Sequence, residues 1–195
     1  MISHKHKFII ITPPKTGSTA IINALQDCIE YHPIRQDTLE HKHLTYKGYR
    51  IKNTELVKNY TYYGTIRNPY ERMVSFWKWM MFLQPGKFKY TKNFHTFICT
   101  FVKNSKLFQR TMFHSFSLGS EIGVSKFIRF ERFEEDFKSF CDDVGIEKRE
   151  LKDTNRTNFS NTTGEAYYRS FYDEESRKIV AELFKRDLEY FGYSF

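Results

Sequence analysis

The sequence lacks several features that mark common classes of protein. No window approaches 18 uninterrupted apolar residues, and the N-terminal residues show no apolar stretch or cleavage site of a secretory signal. The three cysteines, Cys28, Cys99 and Cys141, form no CxxC pair, which argues against a disulfide framework and favours a reducing compartment. No repeat, low-complexity tract or Pro/Gly/Ser linker divides the chain. We therefore expect a single domain over residues 1–195 with no transmembrane segment.

Aromatic residues and positive charge are what the sequence has in excess. Aromatics make up 18% of the 195 residues, which is enough to supply a hydrophobic core. The 31 Lys and Arg residues exceed the 23 Asp and Glu residues and give a net charge of +8. Such a surface attracts anions, and nucleic acid, a phosphorylated cofactor, an acidic polysaccharide and anionic lipid all fit this charge.

Hydropathy patterns predict strands that alternate with helices. Short β-branched or alternating runs indicate strands at 7–12, 60–67 and 126–132. Apolar residues at helical spacing indicate helices over about 16–28, 69–83, 133–144 and 174–191, and a turn is expected at Lys47-Gly48. This alternation predicts an α/β fold with a parallel sheet covered by helices on both faces.

The segment TPPKTGST joins the first predicted strand to the first predicted helix. The first N–H groups of a helix lack intrahelical partners, so this junction suits an anion. Gly17 lets an anion approach the backbone, Lys15 adds a full charge, and Ser18 and Thr19 add hydroxyl donors. The pattern differs from a Walker A loop, GxxxxGK[ST], because Lys15 precedes the only glycine. A plain helix cap at Thr16 or Ser18 stays open as the alternative.

A second basic segment, RNPYERMVS at residues 67–75, also joins a predicted strand to a helix. Arg67 would emerge at the carboxyl end of its strand, which is the edge where ligands bind in open α/β sheets. Ser75 lies about two helical turns further on, so the two side chains could hold a second phosphate. A surface arginine beside a helix that starts with Pro69 is the alternative.

Taken together, these segments resemble the sulfotransferase superfamily, and most closely the membrane-type carbohydrate sulfotransferases. The chain carries PKTGST at 14–19 and RNPYERMVS at 67–75, in the order and strand context typical of that family. FERFEEDF at 130–137 and DLEYFGYSF at 187–195 are similar to two further family motifs. The resemblance implies a P-loop-NTPase-like three-layer α/β domain with a central parallel sheet.

The resemblance also implies a donor and the residues that bind it. The donor would be 3′-phosphoadenosine 5′-phosphosulfate (PAPS), and its product would be adenosine 3′,5′-bisphosphate. Arg67 and Ser75 would bind the 3′-phosphate, and Arg156 would contact the donor from a loop before the final helix. The 5′-phosphosulfate would be bound by the PKTGST loop, which comprises Pro14, Lys15, Thr16, Gly17, Ser18 and Thr19.

Catalysis would need stabilisation of the leaving group and a base for the acceptor. The family assigns the first role to the lysine that matches Lys15. His43 and His41 are the candidate bases, with His43 preferred, because histidine accepts protons near neutral pH. Glu40 and Glu131 are lesser candidates. A solvated polar loop is the alternative explanation for both histidines, and the sequence indicates no metal site.

The chain departs from the family in two respects. It is short, and it lacks the usual N-terminal membrane anchor and luminal disulfides, so we expect a cytoplasmic or otherwise soluble protein, with the Golgi lumen fitting only a trimmed domain. The acceptor is expected to be a glycan or another hydroxyl compound, with no nucleic-acid partner, and the oligomeric state stays open. A P-loop-type nucleotide or small-molecule kinase and a non-catalytic polyanion-binding domain are the competing functions.

Overall fold

The computed structural model describes residues 1–30, 43–52, 58–83, 93–105, 108–151 and 165–195. The chain divides into two compact units, each made of two separate stretches. The first unit comprises 1–67 and 112–155, and the second comprises 68–111 and 156–195. Within the described residues, no helix has both the length and the apolar character that crossing a bilayer requires.

A mostly parallel sheet forms the centre of the first unit. Its described strands are β1 (Ile2–Ser3), β2 (Phe8–Ile11), β3 (Thr61–Ile66) and β6 (Lys126–Arg129), in the order β1-β2-β3-β6. β1 runs antiparallel to β2, whereas β2, β3 and β6 are mutually parallel, with Ile9 opposite Tyr62 and Gly64 opposite Phe127. All four residues of β2 are buried, as expected for a parallel strand covered on both faces.

Helices complete the first unit around this sheet. They are α1 (Ser18–Ala24), α2 (Tyr46–Lys52), α5 (Met112–Phe116) and α6 (Phe133–Val144). Ile21 of α1 and Phe140 of α6 share a core cluster with Phe8 of β2 and Tyr63 of β3. On the opposite side of β3, Phe116 of α5 lies against Gly64, where an added Cβ would come within 2.8 Å of its ring. The prediction of an α/β fold whose sheet is flanked by helices is confirmed.

The second unit is helical in its described part. It contains α3 (Pro69–Leu83), α4 (Phe94–Thr96) continued by a π-helical segment (Phe97–Val102), α7 (Glu165–Arg169), α8 (Glu174–Leu183) and α9 (Lys185–Phe191). Met73 and Phe76 of α3 pack with Phe97, Val180 and Phe184 in one buried cluster. α3 begins at Pro69, where the missing N–H is tolerated, as the sequence predicts.

Several predicted boundaries are wrong. The first helix starts at Ser18 instead of Thr16 and ends at Ala24, before Cys28, and the turn expected at Lys47-Gly48 lies inside α2. The third strand ends at Arg129 because residues 130–132 turn into a 3₁₀ helix. The final helix is two helices, separated at the buried Phe184, whose backbone leaves the helical conformation.

Some elements were missed entirely. β1 and the antiparallel hairpin of β4 (Ser117–Leu118) and β5 (Glu121–Ile122) have two residues per strand, which is too short for a hydropathy period.

Candidate functional site

The loop between β2 and α1 has an unusual backbone. Lys15 has φ 69° and Gly17 has φ 91°, while Thr16 between them is not in the positive-φ region. Backbone turns that contain residues in the left-handed conformation can bring successive N–H groups together, and such concavities bind anions. Because a lysine rarely adopts a positive φ, this conformation costs about 1–2 kcal/mol that the surrounding structure has to offset.

Gly17 is required by its conformation and by its neighbour. It precedes α1 in a left-handed conformation, and a Cβ placed on it would lie 2.4 Å from Cζ of Phe133, at the start of α6. No side chain fits in that space without displacing the aromatic ring. The Phe133 ring at the start of α6 therefore packs directly against the loop backbone at Gly17.

Thr16 fixes the loop to the sheet. Its side chain is fully buried, and its hydroxyl donates to the Pro13 carbonyl at 2.7 Å and lies 2.5 Å from the hydroxyl of Thr65 in β3. Ser18 is also buried, whereas Pro14 and Thr19 are half-buried. The Thr16 hydroxyl thus holds the loop in place, so its contribution to an anion would have to come from the backbone.

Arg67, the first residue of the second basic segment, contacts this loop. It directly follows β3, and its Nη1 donates to the Lys15 carbonyl at 3.2 Å. The guanidinium carbon lies 3.9 Å from the ring centroid of Phe130, a cation–π contact that holds the side chain flat. The Arg67 N–H points to the sulfur of Met112 at 3.4 Å. The loops that follow the parallel strands β2, β3 and β6 therefore meet at the carboxyl edge of the sheet, where ligands bind in such folds.

His43 lies beside the same edge. Its Nδ1 is 2.5 Å from the carbonyl oxygen of Thr12, the residue that follows β2. Because a carbonyl only accepts, Nδ1 carries the hydrogen in this contact. In the neutral ring the lone pair then belongs to Nε2, which is the arrangement a general base needs.

The other predicted site residues are placed differently. Ser75 lies in α3, in the second unit, and is half-buried. Glu131 is exposed in the 3₁₀ turn. His41, Glu40 and Arg156 lie outside the described residues, so their roles stay predictions.

Four residues that shape the site were not singled out from the sequence. They are Thr12, which orients His43, Thr65, which anchors Thr16, and the aromatic pair Phe130 and Phe133. Both aromatics stand in the FERFEEDF motif, which was the available signal, although it pointed to a family and gave no role. The Thr12 contact uses a backbone carbonyl, and because every residue type has one, the sequence carries no signal for this contact.

Two further motif residues form a buried ion pair inside the second unit. Arg72 and Asp187 are almost fully buried, and Nη1 of Arg72 lies 3.9 Å from the Asp187 carboxylate. Nη2 of Arg72 donates to the Arg110 carbonyl at 3.0 Å. RNPYERMVS and DLEYFGYSF therefore each contribute one residue that holds the helices of this unit together.

A third motif residue supports the first unit. Asp136 of FERFEEDF accepts from the Arg129 N–H at 2.9 Å and from the Arg132 guanidinium at 3.1 Å. The pair of contacts fixes the turn between β6 and α6, which carries Phe130 and Phe133. The carboxylate therefore shapes the candidate site without being part of it.

The cysteines of the first unit are not suited to nucleophilic chemistry. Burial raises the pKa of the Cys28 thiol and that of the Cys141 thiol above the ordinary range. A raised pKa keeps the group protonated, and the thiol is a far weaker nucleophile than the thiolate.

Comparison with known proteins identifies the family. A model of the sulfotransferase family matches residues 1–194, which is nearly the whole chain. No curated protein and no solved structure matches this chain. The mostly parallel sheet with flanking helices agrees with the P-loop-like fold expected of that family. On this match the chain belongs to the sulfotransferase family.

Proposed function

We propose that this protein transfers a sulfuryl group from PAPS to a hydroxyl of an acceptor, with a carbohydrate as the first choice. Membership of the sulfotransferase family supports sulfuryl transfer in general. The observation that carries the more specific proposal is the contact between Arg67 and the carbonyl of Lys15, because it places one basic residue from each of the two segments at the same loop.

The residues of this loop suit a phosphosulfate group. Lys15 and Gly17 both have a positive φ, and backbone turns of this kind can gather N–H groups into a concavity that binds an anion. Lys15 and Arg67 supply two positive charges, and Thr19 offers a half-buried hydroxyl. We assign Arg67 and Ser75 to the 3′-phosphate on the family resemblance, together with Arg156.

The chemistry follows from the charges that change during transfer. The donor supplies an activated sulfuryl group whose bond to a phosphate oxygen breaks as the acceptor oxygen bonds to sulfur. Lys15 and the N–H groups of the loop stabilise the negative charge that grows on the phosphate, and removing one such donor typically lowers the rate about 10²–10³-fold. Nε2 of His43 takes the proton from the hydroxyl group of the acceptor substrate. The Thr12 carbonyl accepts the hydrogen bond from Nδ1–H and so fixes the orientation of the ring.

Donor binding is the first test. We expect adenosine 3′,5′-bisphosphate at 100 times its Kd to stabilise the protein by about 2.7 kcal/mol. For a chain of this length the melting temperature should then rise by roughly 5–10 °C, with a smaller rise for AMP. A rise with ATP–Mg²⁺ and none with the bisphosphate would favour a kinase. No rise with any nucleotide would contradict the donor assignment.

Two substitutions test the loop. Lys15→Ala should lower the turnover number by about 10²-fold or more and leave the fold intact. Lys5→Ala is the matched control, because Lys5 is an exposed lysine of the same unit. Arg67→Ala should weaken binding of the bisphosphate far more than binding of AMP. Equal losses for both ligands would remove Arg67 from the 3′-phosphate role.

The base is tested by separating turnover from binding. His43→Ala should lower kcat with a carbohydrate acceptor and leave the Kd of the bisphosphate unchanged. His114→Ala, an exposed histidine of the same unit, is the matched control. An unchanged kcat in His43→Ala would shift the base role to His41 or Glu40.

A further inference from the structure

A cluster of metal-ligand side chains occurs in the second unit, and it shares no residue with the proposed sulfotransferase site. His95, Cys99 and Glu175 each offer one ligand atom, and these three atoms lie within 4.8 Å of one another. Histidine nitrogen, cysteine sulfur and carboxylate oxygen are the three ligand types that zinc takes in proteins.

The backbone places these ligands from two directions. His95 and Cys99 are four residues apart, in α4 and in the π-helical segment that continues it, so they lie on one face. π-helical turns are rare and occur frequently at functional sites. Glu175 comes from the first turn of α8, 76 residues after Cys99.

The ligand atoms lie near enough together for one ion to reach all three. Nε2 of His95 lies 3.9 Å from Oε2 of Glu175, and the three ligand atoms all lie within 4.8 Å of one another. Zinc bonds of about 2.0–2.3 Å in tetrahedral geometry place neighbouring ligand atoms about 3.3–3.6 Å apart. An ion would therefore draw the ligand atoms together by up to about 1.5 Å, which side-chain rotations can supply.

Asp173 contacts the cluster through the second ring nitrogen of His95. Its Oδ2 lies 2.5 Å from Nδ1 of His95, and its Oδ1 accepts from the Ser176 N–H at 2.8 Å as the N-cap of α8. Histidine ligands usually donate their second ring N–H to a carboxylate, which fixes the tautomer. With Nδ1–H held by Asp173, Nε2 is the nitrogen that faces Glu175. The helix cap keeps this carboxylate in place.

We propose that His95, Cys99 and Glu175 bind a zinc ion, with Asp173 as a positioning residue and water in the fourth position. A thiolate and an imidazole favour zinc and similar transition metals over Mg²⁺ and Ca²⁺, which prefer oxygen ligands. Binding releases the Cys99 thiol proton to solvent. The partial positive charge at the start of α8 opposes a cation, but Asp173 and Glu175 bring two negative charges to the same turn.

The consequence of binding is a link inside the second unit. The ion would tie the segment at 95–99 to the first turn of α8. His95 and Cys99 are half-buried and Glu175 is exposed, so the ion can enter from solvent. The link should raise the melting temperature of the full chain when metal is added after chelation.

Cobalt(II) substitution is the direct test. The full chain is reduced, stripped with a chelator and titrated with Co²⁺, and zinc is then added to displace it. We expect one equivalent of Co²⁺ to bind, with a thiolate-to-cobalt charge-transfer band and tetrahedral d–d bands. Cys99→Ser should remove the charge-transfer band. A chain that shows no such band, or keeps it in Cys99→Ser, would overturn the site.

Matched carboxylate variants test the remaining ligands without disturbing the core. Glu175→Gln should weaken zinc binding at least about 100-fold, whereas Glu174→Gln, its exposed neighbour, should not. Asp173→Asn keeps a good helix cap and should weaken zinc binding about 10–100-fold. Equal zinc affinities in Glu174→Gln and Glu175→Gln would overturn the proposal even if Cys99→Ser fails to fold.

Discussion

Replacement of Gly17 by alanine tests how the loop between β2 and α1 is built. The new methyl group would destabilise the folded protein in two separate ways. The left-handed backbone at φ 91° costs an L-residue about 1–2 kcal/mol. The Cβ would also lie 2.4 Å from Cζ of Phe133, and making room in packed surroundings typically costs about 1–3 kcal/mol.

The sum, about 2–5 kcal/mol, corresponds to a fall in melting temperature of roughly 5–20 °C for a chain of this length. Gly119→Ala is the matched control. Gly119 also has a positive φ, 66°, but nothing lies within 4 Å of its added Cβ. Gly119→Ala should therefore lose only the free energy that the left-handed backbone costs. The difference in unfolding free energy between the two variants then measures the cost of the collision with Phe133.

A double-mutant cycle isolates that collision. Phe133→Leu removes the ring atoms that the new methyl group of Gly17→Ala would meet, so the double variant should be more stable than the sum of the two single effects by about 0.5–3 kcal/mol. Thermal unfolding and bisphosphate binding are measured on all four proteins. Additive effects, or a Gly17→Ala variant no less stable than Gly119→Ala, would refute the role assigned to Phe133.

Three further predictions concern ionised groups. Asp187→Asn should cost about 3–5 kcal/mol in a urea unfolding experiment, because Arg72 is left buried without its counter-charge, and replacing both residues by leucine should recover part of the loss. Hydrogen bonds from Ser176, with His95 adding to them, lower the pKa of Asp173 to about 2, so its contribution to stability is complete above pH ~4 and is lost as the pH falls toward 2. Asp173→Asn should flatten the stability profile in that window, and an unchanged profile would contradict the assignment. The Arg149 guanidinium holds the pKa of Asp27 below its usual range, so an NMR titration of Arg149→Ala should show that pKa rising toward the ordinary carboxyl value.

Much of the framework was accessible from the sequence because its signals are local. Apolar runs predict β2 and β3, and Pro69 is typical of the first residue of a helix, as in α3. The predicted helix over 133–144 agrees with α6, which ends before Gly145 in the left-handed conformation. In each case neighbouring residues decide the outcome, so a reading of single segments was sufficient.

The parts that escaped prediction depend on contacts between distant residues. Phe133 meets Gly17 from 116 positions away, and the break at Phe184 has no proline or glycine to announce it. The sequence favoured His43 over His41 as the base, but its contact with the Thr12 carbonyl, 31 residues earlier in the chain, was not predictable from the sequence. Sequence motifs named the family, but they did not tell residues that contact a ligand from residues such as Arg72 that hold helices together.

The interleaving of the two units has a consequence for synthesis of the chain. The stretches of the first unit are complete once residue 155 has been made, whereas the second unit still lacks residues 156–195. At about 5–20 residues per second, translation from the end of α3 at Leu83 to the end of α9 at Phe191 takes about 5–22 s, during which α3 and Arg72 have no partners in α8 and α9. During that interval the apolar face of α3 is not covered by α8 and α9. Asp187, the carboxylate that pairs with Arg72, has not yet been synthesised. We therefore expect molecular chaperones to bind within residues 68–111 while residues 156–195 are being synthesised.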